Sequence, residues 1–229
     1  TWPINAAVAE CRKAGWSDET DQVLCDVVLR SDEFHPFTLF AWLDGPDGQD
    51  ADLERKLQMI DRTIEVHPRY VQTYDVKSEL LARQNRFSEA LAVCNPPEFG
   101  GSPPLILRGR AAWVMASRGD RDAAIAAMRE ILQADPDYYW GWQQIANLYD
   151  SAEAYPEYLD AAENLARLAP NDPAAFGYRG EAKLFGGDRR GAKADFQRAF
   201  DLDPNYAFAG LHLMDELLTD DEMEAAERT

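Results

Sequence analysis

The chain has 229 residues, 46% of them hydrophobic, and a formal net charge of −18. Duplex nucleic acid and anionic membrane surfaces are bound by displacing counterions with Lys and Arg, so this charge argues against both as partners. No apolar run approaches the roughly 20 residues of a membrane helix, so no membrane insertion is expected.

Taken in order, the chain reads as a series of helix pairs. In residues 1–36, one helix over Asn5–Ala14 stops at Gly15, and Ser17-Asp18-Glu19 caps a second that carries Leu24, Val27 and Val28. Residues 37–68 open with a short, very apolar helix (Phe37, Leu39, Phe40, Trp42, Leu43). A turn cluster Asp44-Gly45-Pro46-Asp47-Gly48 follows, then a helix over about 50–66 with Leu53, Leu57, Ile60 and Ile64 on one stripe. Residues 69–104 form a third pair whose second helix is cut short by Asn95-Pro96-Pro97. The Pro-rich stretch 95–104 is expected to run on from Glu98 as an extended linker. Pairs 105–136, 137–170 and 171–204 are regular, and residues 205–229 begin a seventh pair.

Within 171–204 the pattern is complete. A helix over Ala174–Phe185 carries Phe176, Gly180, Ala182 and Leu184. Gly186-Gly187-Asp188 breaks it and caps the next, whose stripe is Ala192, Phe196, Ala199 and Phe200, and Pro204 ends it. Prolines at 36, 68, 104, 136, 170 and 204 sit about one repeat apart.

This spacing resembles the tetratricopeptide repeat (TPR), with Phe176, Gly180, Ala192, Phe196, Ala199 and Pro204 at its signature positions. The preceding repeat offers Trp142, Ala146, Tyr149, Ala162, Leu165 and Pro170, but places Tyr158 where the family wants Ala and lacks the Gly-Asp turn. The one before has Gly119-Asp120, Ala124, Met128, Ile131 and Pro136, with Arg108 at the aromatic position. The resemblance implies an all-α, right-handed solenoid of about six to seven antiparallel pairs, 1–229 as a single array. A weaker likeness of Tyr139-Trp140-Gly141-Trp142 to prenyltransferase α-subunit repeats lacks the Arg that usually follows.

In TPR solenoids the first helix of each pair lines the concave surface. Carried onto this register, the resemblance places Arg83, Arg110 and Trp113 there, then Trp140, Gln143, Gln144 and Asn147, then Tyr178, Phe208 and His212. Aromatics, Arg and amides suit an extended peptide or a partner helix. Trp142 and Phe176 are assigned to packing between repeats. The Lys/Asn carboxylate clamp of some TPR proteins has no lysines here. Exposed apolar solenoid ends would stack, which makes self-association a second partner class.

Catalysis is not expected. The three histidines include two directly before repeat-ending prolines, and no HExxH, GxSxG or GxxxxGK[ST] occurs. Cys11, Cys25 and Cys94 are odd in number and without CxxC, which argues against a disulfide framework and a zinc site. The expectation is a protein-interaction scaffold without metal or cofactor in the cytoplasm, or outside it had a signal been removed. The alternative is a regulatory or substrate-presenting TPR segment of a larger enzyme, such as a glycosyltransferase.

Overall fold

Local backbone chemistry sets where the helices begin and end. Gly119 takes a left-handed φ of 99° and closes a helix, with Asp120 N bonded back to Met115 O at 2.9 Å. Asp172 and Asp188 accept from Ala174 N and Gly191 N, both at 2.9 Å, and so start the next two helices, the first with Pro173 at its opening position.

The computed structural model describes residues 36–215. The expected pair 1–36, but for its last residue, and everything expected beyond 215 lie outside the described residues. The chain divides into two compact units, one ending at Asp120 and the other starting at Arg121. Among the described residues every regular element is a helix.

The first unit contains α1 (Pro36–Asp44), α2 (Pro46–Asp50), α3 (Leu53–Val66), α4 (Val71–Arg83), α5 (Phe87–Val93) and α6 (Leu105–Arg118). Leu39 and Trp42 of α1 are buried with Met59 and Ile60 of α3. A second cluster joins Leu57, Leu81, Ala82, Ala90 and Val114, so α4 is packed between α5 and α6. The expected turn cluster after Asp44 is more ordered than a loop, because Pro46 at the first helical position winds α2 into a single turn. Gly48 passes so near α1 that a Cβ there would lie 2.0 Å from Trp42 O.

The segment after α5 is not extended as expected. Pro97–Phe99 forms a 3-10 turn, and Gly100 and Gly101 take φ of 63° and 79°. The reason is side-chain burial: Phe99 packs edge-on to Tyr74 of α4 at 5.9 Å, and Arg69 donates to Glu98 O at 3.4 Å.

The second unit contains α7 (Arg121–Ala134), α8 (Tyr139–Ser151), α9 (Tyr155–Leu168), α10 (Pro173–Phe185) and α11 (Arg189–Leu202), followed by a helical run 207–215. Each of these helices packs on the next in chain order, and turns of three or four residues between packed helices make the pairs antiparallel. Phe196, Ala192 and Ala199 are fully buried between α10, α11 and the run 207–215, together with Ala209. Where the α8–α9 turn lacks the expected glycine, Glu153 itself adopts the left-handed conformation at φ 56°. Tyr158, in place of the family's small residue, is 1% exposed and among the largest fully buried side chains.

Candidate functional site

In the first unit the first helices of successive pairs are α4 and α6. Arg110 of α6 donates through Nε and Nη2 to the two carboxylate oxygens of Asp75 on α4, at 2.7 and 3.0 Å, and also meets Glu79 at 3.0 Å. The pairing is bidentate and largely buried, since Arg110 is 9% exposed. Its guanidinium lies 4.9 Å from the Trp113 ring centroid, and Trp113 in turn packs on the Leu57–Val114 cluster. Glu79 continues the chain to Arg83, which is exposed. Below this network Ser78 Oγ donates to Ala90 O at 3.0 Å and touches Cys94 Sγ at 3.1 Å. Burial, more than any other influence, pushes the Cys94 thiol up to about 11. Three expected ligand residues therefore sit together, all engaged by their own unit: Arg110 and Trp113 with each other, and the exposed Arg83 with Glu79.

In the second unit α8 presents two different sides. At 3.6 residues per turn, Trp140, Gln143, Gln144 and Asn147 share one side and Trp142, Ile145 and Tyr149 the opposite one. The second side faces α7 and α9: Ile145 and Tyr149 are buried, and Trp142 Nε1 donates to Pro136 O at 2.8 Å. On the first side Asn147 is exposed and Trp140, Gln143 and Gln144 are partly exposed.

That side continues onto α10. Tyr139 Oη donates to Asp172 Oδ2 at 2.6 Å, which ties α8 to the start of α10, and Asn147 lies near the Tyr178 phenol. Tyr178 stands edge-on to Tyr158 at 6.5 Å, and Tyr158 Oη donates to Glu181 Oε2 at 2.6 Å. Burial, followed by these carboxylate bonds, raises the Tyr139 and Tyr158 phenols; burial raises Tyr178 and Tyr206 as well.

Phe208 and His212 belong to a different setting. The His212 ring stacks on Phe196 at 4.5 Å and 8°, and Phe208 meets both rings at 6.1 and 4.6 Å. They cover the aromatic core of the last described pair. Residue-type reasoning missed the phenol–carboxylate pairs Tyr139–Asp172 and Tyr158–Glu181. The one available signal was Tyr158 itself, a large polar aromatic at a position that normally holds a small residue.

Among the described residues no cluster of His, Cys, Asp and Glu is arranged to hold a metal ion, and no helix is long and apolar enough to cross a membrane.

No protein-family model and no curated protein sequence matches the chain. Solved structures do. A tetratricopeptide repeat protein from Parabacteroides merdae aligns over 93% of this chain and 85% of its own, at 15% identity and a TM-score of 0.66. YrrB, described as a TPR protein with an unusual peptide-binding site, aligns over 85% of this chain and 99% of its own, at 15% identity and TM-score 0.54. A double mutant of MamA from strain RS-1 aligns over 69% and 89%, at 21% identity and TM-score 0.57. At these identities the likeness is one of fold: the chain has the all-α, paired-helix TPR fold.

Proposed function

We propose that this chain is a protein-interaction module and that the Trp140–Asn147 side of α8, continued by Tyr178 of α10, receives an extended peptide or a partner helix. The observation that carries the reading is the division of α8. One side buries Ile145 and Tyr149 against α7 and α9, while the other keeps amides and an aromatic at least partly open to solvent. Amide side chains offer a donor and an acceptor each, which matches the unpaired backbone groups of an extended peptide. Trp140 and Tyr178 offer apolar area with few rotatable bonds. YrrB, of the same fold, is described as peptide-binding, which supports the class of ligand and not its identity.

The test uses the full chain as bait for a random peptide display library. Selected peptides are then measured against the triple variant Gln143→Ala, Gln144→Ala, Asn147→Ala, with helix content checked by circular dichroism. A loss of affinity of about tenfold or more supports the assignment. Unchanged affinity for every selected peptide overturns it.

A further inference from the structure

The opposite side of α8 floors a second groove, which the proposed function leaves unused. It has a volume of about 520 Å³ and is walled by Arg129 and Gln133 of α7 and by Pro156, Glu157 and Asp160 of α9, over Leu132, Trp142 and Tyr149. We propose that this groove docks a basic segment of a partner protein, with an Arg or Lys side chain laid over Trp142 and its charge between Glu157 and Asp160.

The polar handles of the floor are used internally: Trp142 Nε1 goes to Pro136 O, and Tyr149 Oη accepts from Arg129 Nε at 2.7 Å. What the floor offers a partner is ring face and apolar surface. Arg129 is also held over the Tyr149 ring at 5.5 Å, so the single cation of the groove is drawn to one wall.

On the other wall Glu157 and Asp160 are one turn apart and exposed, and neither carboxylate has an ion-pair or hydrogen-bond partner among the described residues. Glu157 lies in the first turn of α9. The groove therefore carries one carboxylate more than its own cation can neutralise, beside an aromatic floor. A guanidinium or ammonium with an apolar stem complements both features.

A groove of similar placement in the first unit, over Lys77 and Leu81 between α3 and α5, shows the contrast. Its cations are already spent on its own carboxylates, Arg62 on Glu65, Lys77 on Asp61, and Arg86 on Glu54 and Glu89. That groove also holds one carboxylate more than its cations, but each of its carboxylates is ion-paired, whereas, among the described residues, Glu157 and Asp160 are not. The chain's charge of −18 would draw a cationic partner to any face, so the experiment must separate steering from docking.

The probes are fluorescein-labelled octapeptides of Gly, Ala and Leu with one central Arg, Lys, Gln or Glu, read by anisotropy against the full chain. Glu157→Gln with Asp160→Asn removes the groove's excess charge. Glu163→Gln with Asp201→Asn removes the same charge elsewhere, and the Gln143, Gln144, Asn147 triple variant reports on the other face.

The expected result is that Arg and Lys peptides bind at least about fivefold more tightly than the Gln peptide. The groove variant should abolish that preference while the other two keep it. Equal loss in the Glu163, Asp201 variant would reduce the effect to overall charge and overturn the proposal. Loss only in the triple variant would move the peptide to the other face, overturning this site while supporting the first reading. No preference for the cationic peptides overturns this site and leaves the first reading standing.

Discussion

Gly180 and Phe196 occupy one space between α10 and α11. A Cβ added to Gly180 would lie 2.7 Å from Phe196 Cε1, and Phe196 is fully buried and flanked by Ala192, Ala199 and Phe208. The glycine is there because a ring already fills the position a methyl group would take. Gly180→Ala should destabilise the chain by about 1–3 kcal/mol through overpacking, and Phe196→Ala by about 3–5 kcal/mol through the cavity it leaves. Chemical denaturation of both variants checks this. An unchanged midpoint for Gly180→Ala would show that the two helices separate at little cost.

The Asp75–Arg110 pair predicts an asymmetry. Arg110 is more deeply buried than Asp75, with side-chain exposures of 10% and 21%. Asp75→Leu strips the buried guanidinium of its bidentate partner, a loss on the order of 3 kcal/mol. Arg110→Met leaves carboxylates that can reach water and puts an apolar stem in the same channel, so it should cost clearly less. Equal losses, measured by urea denaturation, would mean that burial does not govern this pair.

Glu153 supplies a test in the stabilising direction. It is the residue that takes the left-handed turn after α8, with Ala154 N bonded back to Tyr149 O at 2.9 Å. Its carboxylate gains no hydrogen bond there among the described residues. Glu153→Gly relieves the conformational cost and should stabilise by up to about 1 kcal/mol, read as a higher thermal midpoint. A lower midpoint would show that the entropy gained by the unfolded chain dominates.

Alkaline pH should unfold the chain in a defined window. Tyr74 is pushed up to about 12, first by burial and then by the charge of Glu98, while its Oη donates to Pro68 O at 2.8 Å. Tyr139 and Tyr158 are raised in the same direction. A phenol with a raised folded-state value keeps its proton longer in the folded chain. Its contribution is therefore complete below about pH 10 and is lost as pH rises from about 10 to about 12. Phenolate absorbance followed together with circular dichroism should show part of the tyrosine signal appearing only as helix is lost. All phenols ionising near the ordinary value with helix intact would contradict this.

The groove residues show how far a residue-by-residue reading reaches. Trp140, Gln143, Gln144 and Asn147 share one side of α8 because helical periodicity alone dictates it. Arg110 and Trp113 obey the same periodicity, but Asp75, 35 positions earlier, takes the guanidinium. Phe208 and His212 close over Phe196. Nothing in the spacing along one helix announces which side chain of a neighbouring helix will arrive to claim a charge or a ring.

The sequence by itself determined the helix pairs, because their ends depend on neighbouring residues only: the left-handed glycines at 119 and 187, the capping Asp172 and Asp188, and proline's missing donor. It also determined the small-against-large pattern of Gly180, Ala192 and Phe196. The tertiary structure alone decided that the 97–101 segment turns compactly onto Tyr74, and that Tyr158 is accommodated by Glu181. It also left Glu157 and Asp160 unmatched beside Trp142. Those outcomes join residues far apart in the chain, and they rest on burial and charge pairing between helices, which become defined only when the helices meet.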